Sequence, residues 1–294
     1  MNGVYWFWRL AAALLVGVGA AFLFEWHVDV PAYFLSRFWR IAAPVLVGVA
    51  VLLGWQAAVW FSGVPAYVLP GPWLIAKTLL HDGPSLLGAL LVTLRITFAA
   101  LALAIVVGGA LAILFSLSRL LEVSLFPYAV ILQVTPVIAI APLIIIWVND
   151  VFAALLVCAT IVAFFPIVAN TTLGLNSADR NLNDLFHLYG ASRWQTLRLL
   201  RLPSALPLFL AGVRISGGLA LIGAVVAEFV AGTGGAETGL ASRIIEAGYR
   251  LEIPRMFAAL FLLSLTGIAI FIVLSRLSRL LLRHWHESAL EPSD

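Results

Sequence analysis

Four long stretches of this chain contain no charged residue: 96–118, 123–149, 151–178 and 256–275. Each meets the requirement of about 20 largely apolar residues for a helix to cross the hydrocarbon of a bilayer. Residues 41–61 form another such run, ended by the turn-rich string SGVPAYVLPGP. A further run, 208–230, is apolar apart from Arg214 and Glu228. Six membrane-spanning helices are therefore expected. An additional stretch, 4–24, has Arg9 inside it and no A-x-A-like cleavage site after it, so an uncleaved extra N-terminal helix is expected, with an interfacial helix or a misassigned start as alternatives.

Charge fixes an orientation. Arg and Lys mark cytoplasmic loops, and Arg37, Arg40, Arg119, Arg180, Arg193, Arg198, Arg201, Arg276, Arg279 and Arg283 all fall on one side if the six spans alternate. The other side holds Lys77, Arg243, Arg250 and Arg255, balanced by Asp82, Glu237, Glu246 and Glu252. This places the C-terminus inside, in a prokaryotic cytoplasmic membrane. The chain divides into an N-terminal extension (1–40), one membrane domain (41–283) and a tail (284–294). Its long cytoplasmic connection, 176–206, reads as two short helices separated by Gly190-Ala191-Ser192, where Gly ends one helix and Ser caps the next. On the second helix Trp194, Leu197 and Leu200 or Arg201 fall at three-residue steps on one face, and Pro203 and Pro207 are expected to stop that helix before the membrane.

Composition agrees with the pattern and narrows the function. Hydrophobic residues make up 63% of the 294, charged ones 11%, and the mean hydropathy is +1.08; a soluble domain carries about 25% charged residues. Lys77 is the only lysine and follows no glycine-rich loop, so a G-x-x-x-x-G-K-[ST] phosphate loop is excluded. The one cysteine, Cys158, excludes an internal disulfide and a cysteine-rich metal site. His284 and His286 read as a polar tail rather than a metal site, and GTGGAETG (232–239) as a loop, since it has neither phosphate-loop nor dinucleotide-binding spacing. No nucleic-acid partner or catalytic constellation is expected; any ATPase or solute receptor is a separate chain.

Polar groups within the spans carry more weight, because a charge in lipid costs about 2.5–3.5 kcal/mol even on lenient scales. Glu228, near the outer end of its span, is either a pathway or gate residue or a structural carboxylate that snorkels or pairs near the interface. Arg214 and Arg95 are expected to snorkel to the inner and outer sides. The string QVTPVIAIAP, with Pro136 and Pro142, predicts a broken or kinked segment. Gln133 and Thr135 beside the break either line a pathway or hydrogen-bond between helices. Gly108-Gly109 and Gly217-Gly218 are expected to permit close helix packing.

The cytoplasmic connection resembles the EAA loop of ABC importer permeases, whose pattern is E-A-A, three residues, Gly, nine residues, then I-x-L-P. Gly190 is followed after nine residues by Leu200-Arg201-Leu202-Pro203. The strings LYGASRWQTLRLLRLPSALPLFLAGVRI, VLPGPW, TPVIAIAPLIIIW and FFPIVANTTLGL are similar to the nitrate, sulfonate and taurine type, over roughly residues 41–283. The chain departs from the family in having Asp184-Leu185-Phe186 at the E-A-A positions. The resemblance implies an all-α membrane protein with the six-helix core of a type I importer. Two permease copies, ABC ATPase subunits that hold the ATP and magnesium, and an external solute-binding protein would complete it; this chain itself would need no cofactor and perform no catalysis. Asp184, Gly190, Trp194, Leu197, Leu200, Leu202 and Pro203 would then belong to the ATPase-coupling loop, and Gln133, Thr135 and Glu228 are candidates for the pathway. Solutes of that subfamily include nitrate, sulfonates, taurine and pyrimidine or vitamin-precursor compounds, and no cationic cluster in the spans singles out an anion. The rivals are a secondary transporter, which would show inverted repeats and ionisable residues at mid-membrane, and a membrane-embedded enzyme. No repeat is visible, and every histidine lies outside the six core spans.

Overall fold

A computed structural model describes residues 37–232 and 238–283. The stretch 4–24 and the tail bearing His284 and His286 lie outside them, as does most of the GTGGAETG string. The described residues form helices in this order: α1 (Arg37–Ser62), α2 (Pro72–His81), α3 (Gly83–Leu117), α4 (Arg119–Val134), α5 (Val137–Val148), α6 (Val151–Leu175), α7 (Arg180–Leu188), α8 (Arg193–Thr196), a π-helical turn (Leu197–Arg201), α9 (Leu202–Ala231), α10 (Leu240–Tyr249) and α11 (Ile253–Leu282). The chain falls into two compact units, Met1–Ser62 and Gly63–Asp294. Within the first, α1 carries a 21-residue apolar stretch, Ala42–Ser62, with none of it buried.

The second unit is built on α6 and α9, with α3 packed against both. Small residues set the α6–α9 seam. A Cβ added at Gly212 would lie 2.8 Å from the Pro166 carbonyl oxygen, and one at Gly223 would lie 2.9 Å from Ala159 Cα. Such contacts let backbones approach closely where lipid offers no hydrophobic drive for association. Ser216 adds a crossing hydrogen bond, donating to the Ala163 carbonyl at 2.6 Å. Of the two glycine pairs expected to permit packing, only Gly108 and Gly217 face neighbours, Ile167 and Leu274; Gly109 and Gly218 face open space.

Three buried clusters order the unit from end to end. At one end Ile96, Ala100, Ala141, Ile144, Leu155 and Ala227 pack together. Leu101, Ile167, Leu221 and Ile270 form the middle, and Ala112, Leu175, Leu197 and Ala205 the other end. These clusters decide the path of the broken segment. The α4 and α5 helices bend by 101° at Thr135–Pro136, where Pro136 has no N–H to continue the ladder. α4 starts beside the end of α3, in the last cluster's layer, whereas Ala141 and Ile144 of α5 belong to the first. The pair thus carries the chain from one end to the other as one broken span, and with it the described helices supply the six spans read from the sequence.

The helices overrun the charge-free windows. α3 starts at Gly83, with Pro84 in its first turn where a missing N–H costs nothing, so Arg95 lies inside a helix of 35 residues. Two short helices, α2 and α10, stand where only loops are legible in the sequence. Arg255 of α11 pairs with Asp82, at the junction of α2 and α3, at 3.5 Å and with its neighbour Glu252 at 3.2 Å, and along α10 Arg243 and Arg250 each pair with Glu246 at 2.8 Å. Of the acidic residues expected at this end, Asp82, Glu246 and Glu252 are paired directly with arginines; Glu237 lies outside the described residues.

Candidate functional site

The 176–206 connection begins with Asp179, which caps α7 by accepting from the Asn181 N–H at 2.7 Å. α7 is strongly amphipathic, with Leu182, Leu185 and Tyr189 spaced along one face. It ends in a Schellman motif: the Ala191 N–H donates to the Phe186 carbonyl at 2.9 Å and the Gly190 N–H to His187 at 3.0 Å. This geometry puts Gly190 at φ +67°, the left-handed region. Ser192 and Gln195 then form a reciprocal capping box, Ser192 N–H to Gln195 Oε1 at 2.7 Å and Gln195 N–H to Ser192 Oγ at 3.3 Å.

Beyond the turn the structure departs from the sequence reading. Pro203 and Pro207 do not stop the helix; α8, the π-turn and α9 run on without a break from Arg193 to Ala231. Leu202 donates its N–H to the Leu197 carbonyl, an i→i−5 bond. Widening the turn this way shifts the carbonyls that the Pro203 ring would strike, and Pro203, in the first turn of α9, has no N–H of its own to satisfy. The expected common face of Trp194, Leu197 and Leu200 is divided. Leu197 is buried against the ends of α3 and α6 and Leu200 is buried too, while Trp194 is 68% exposed. Arg201 Nη1 donates to the Ser116 carbonyl at 2.9 Å, filling one of the orphan acceptors at the C-terminus of α3. Leu202 is 39% exposed, and Asp184 is exposed. The connection is therefore anchored by Leu197, Leu200 and Arg201. It presents Leu188 (85% exposed), Tyr189 (83%) and Trp194 outward.

Gln133 and Thr135 flank the α4–α5 break, where the Thr135 hydroxyl donates to the Ile131 carbonyl at 2.7 Å. Both line a cavity of about 480 Å³ whose far wall is Leu219, Ile222, Gly223 and Val226, one stripe of α9. No charged side chain lines it. A second cavity of about 430 Å³ opens near the start of α3, bordered by Ser85, Arg95, Thr238 and Arg243. Arg95 also lies over the Phe152 ring, 5.2 Å from its centroid, and Arg214 is exposed.

Glu228 stands apart from the first cavity. It is 1% exposed, and both its oxygens are occupied: Oε1 accepts from Thr93 Oγ1 at 2.8 Å and Oε2 from the Ala241 N–H at 2.9 Å. Among the described residues it forms no ion pair, and it does not reach out to the surface. Within this chain it faces the interior, as a hydrogen-bonded carboxylate at the start of α10. Thr93 was not legible as a site residue, because its partners lie 135 and 147 positions away.

Residues 100–286 match the family described as binding-protein-dependent transport system inner membrane component. The chain is 39% identical over 170 residues to a riboflavin transport system permease protein of Chloroflexus aurantiacus, covering 58% of this chain and 62% of that protein. It is 37% identical over 190 residues to a formylaminopyrimidine transport permease protein of Halalkalibacterium halodurans, covering 65% and 74%. Among solved structures, an inward-facing MetNI methionine ABC transporter is similar in fold, with a TM-score of 0.57 at 20% identity over 72% of this chain and 97% of that one.

Proposed function

The chain belongs to the family of binding-protein-dependent transport system inner membrane components, and from that premise we propose that it is the permease subunit of an ATP-driven importer whose 176–206 connection docks an ABC ATPase. One observation carries this reading. α7, its turn and α8 hold Leu188, Tyr189 and Trp194 outward at an end of the molecule where they have no cover of their own, although a helix of 9 residues is too short to be stable without packing. The same end carries Arg119, Arg180, Arg193, Arg198, Arg276 and Arg279, so the positive-inside rule makes it cytoplasmic, where ATP is. Two copies of the permease, two ATPase subunits and an external binding protein form the working unit, and ATP and magnesium reside on the ATPase.

The solute passes the cavity at the α4–α5 break. Its size lies within the usual range for small-ligand sites, about 300–1,000 Å³. Its lining offers the Gln133 amide and the Thr135 hydroxyl among apolar walls. Desolvating an inorganic anion there would leave its charge uncompensated, so the cavity suits an uncharged, partly apolar solute. Two of the relatives are named for a flavin and a pyrimidine. We therefore favour heteroaromatic vitamins and their precursors over nitrate or sulfonates.

The test is affinity purification of tagged chain from native membranes in mild detergent. An ATP-hydrolysing subunit should accompany it, and Trp194→Asp should release that subunit. A chain that purifies without any ATPase at wild-type sequence would overturn the reading. Uptake of labelled nitrate in preference to riboflavin or a pyrimidine would overturn the solute class alone.

A further inference from the structure

The helix that leaves the coupling connection does not end in lipid; it ends in a joint. From Arg193 to Ala231 it runs 39 residues, about 58 Å at 1.5 Å per residue. Glu228 lies in its last turn. Beyond it α10 begins at Leu240 with Gly239 as N-cap and no side-chain cap, so its first N–H groups need partners from elsewhere. They find them on two other helices. The Leu240 N–H donates to Thr93 Oγ1 of α3 at 2.8 Å, the Ala241 N–H donates to Glu228 Oε2 of α9 at 2.9 Å, and Thr93 donates to Glu228 Oε1 at 2.8 Å. Three helices thus share one closed set of hydrogen bonds, with Thr93 and Glu228 both essentially inaccessible.

Two further observations show that the joint is built closely. A Cβ at Gly239 would fall on the Glu228 carboxylate, with both oxygens and the carboxyl carbon in its way. Gly239 has an ordinary φ of −78°, so space and not backbone conformation requires glycine there. Ser242 of α10 donates to the Gly232 carbonyl, the C-cap of α9, at 3.1 Å. The end of α9 and the start of α10 are therefore bonded directly to each other, whatever path residues 233–237 take. On its other side α10 carries the Arg243–Glu246–Arg250 ion pairs and packs on α11.

We infer that Glu228 and Thr93 are positioning residues that make α10 move with α9, so that the outer helix reports the state of the cytoplasmic connection at the far end of the same rod. The inference rests on the proposed importer function, in which that connection receives the ATP-driven stroke. Displacement of a continuous helix at one end moves the other end, and the three-way joint passes the movement to α10 instead of letting α10 pivot on its loop. By reciprocity of linked equilibria, a protein bound over α10 would bias the connection in return. Glu228 then serves transport without lining the pathway.

The chain's one cysteine makes the test clean. Cys158→Ala leaves a cysteine-free chain, and Tyr249→Cys at the exposed end of α10 (Tyr249 is 85% exposed) takes an environment-sensitive fluorophore. In the detergent-solubilised complex with its ATPase, the label is read at rest and after ATP with vanadate, in otherwise native sequence, Thr93→Val and Thr93→Ser. The native sequence and Thr93→Ser should show the same nucleotide-dependent change. Thr93→Val, which removes the hydroxyl at constant shape, should keep the resting anisotropy and the ATP hydrolysis rate while losing at least three-quarters of the change. A Thr93→Val response equal to native overturns the inference. So does loss of anisotropy already at rest, which would make the joint only a support for the fold of α10, and so does Thr93→Ser behaving like Thr93→Val. Absence of any ATPase from the native complex would instead count against the importer reading itself.

Discussion

Gly190 offers the sharpest perturbation of the 176–206 connection. Its φ of +67° places it in the left-handed region, and a Cβ built there meets nothing within 4 Å. Any penalty for a side chain is thus conformational and not a clash. An L-residue in this region costs roughly 1–2 kcal/mol, with Asn tolerated because its short side chain bonds locally, and a β-branched residue costs more. If the Schellman turn must hold for the ATPase to dock, that penalty weakens docking by roughly five- to thirty-fold for Gly190→Ala. Gly190→Val should weaken it further and Gly190→Asn little. The assay is titration of purified ATPase against each variant in detergent, with membrane insertion and melting of the six-span core as controls. Equal affinity for Gly and Val would refute the reasoning, because the turn would then be free to take another form. Asn weakening docking as much as Val would refute it too, since the effect would no longer follow φ.

Three other outcomes follow from separate parts of the molecule. Leu188→Asp, at a site 85% exposed, should change stability by no more than about 0.5 kcal/mol yet abolish co-purification of the ATPase; retention of the ATPase would remove Leu188 from the docking face. Gly174→Ala should lower the melting temperature. The helix propensity gain of about 1 kcal/mol is outweighed by a Cβ 2.9 Å from both Cα and O of Ala205, backbone atoms that cannot turn away, for which overpacking costs typically 1–3 kcal/mol. A raised melting temperature would show that the α6–α9 seam has slack. Glu246, outside the spans, has its pKa held below the usual carboxylate range by the hydrogen bond from Arg243, against the opposing effect of its burial, with the Arg250 charge adding to the lowering. A depressed pKa stabilises the folded state above the unfolded value of about 4.3 and loses that contribution as pH falls through the folded value. Protection of α10 from hydrogen exchange, taken relative to the intrinsic rate at each pH, should therefore be unaffected by this group between about pH 8 and pH 6 and fall in more acid solution. Glu246→Gln should show lower protection than the wild type between about pH 8 and pH 6, the difference vanishing as Glu246 itself protonates in acid; a wild-type change centred near pH 7 would contradict it.

Much of this architecture could be read from composition along the chain, because the bilayer imposes a length and a polarity on each span. The break at Pro136 was legible for a similar reason: proline removes a backbone donor wherever it stands. The same reasoning misread Pro203. A lone proline after a polar segment ordinarily ends a helix, but here the turn before it opens to an i→i−5 bond and the helix continues. α2 and α10 were hidden because they are short, lie outside the hydrocarbon windows and begin after turn-rich strings; Pro72 in the first turn of α2 was the one local signal. At the site, Gly190 and Ser192 could be placed because their roles are local in sequence. The division of Trp194 from Leu197 could not, since it depends on where the ends of α3 and α6 stop and cover Leu197. Glu228 was conspicuous as a carboxylate in a span, but its partner hydroxyl comes from a helix 135 positions away and its partner N–H, Ala241, from a short helix that was not legible, so no spacing rule reaches them.

The central claim is that ATP bound to a partner, and not an ion gradient, drives solute through this chain. It is tested most directly in right-side-out membrane vesicles carrying the chain, its ATPase and its binding protein, loaded with ATP inside and supplied with labelled riboflavin or a labelled pyrimidine outside. The account predicts accumulation that requires internal ATP and persists when an ionophore collapses the proton and sodium gradients. Accumulation that proceeds without ATP and stops with the ionophore would contradict it and make the chain a secondary transporter.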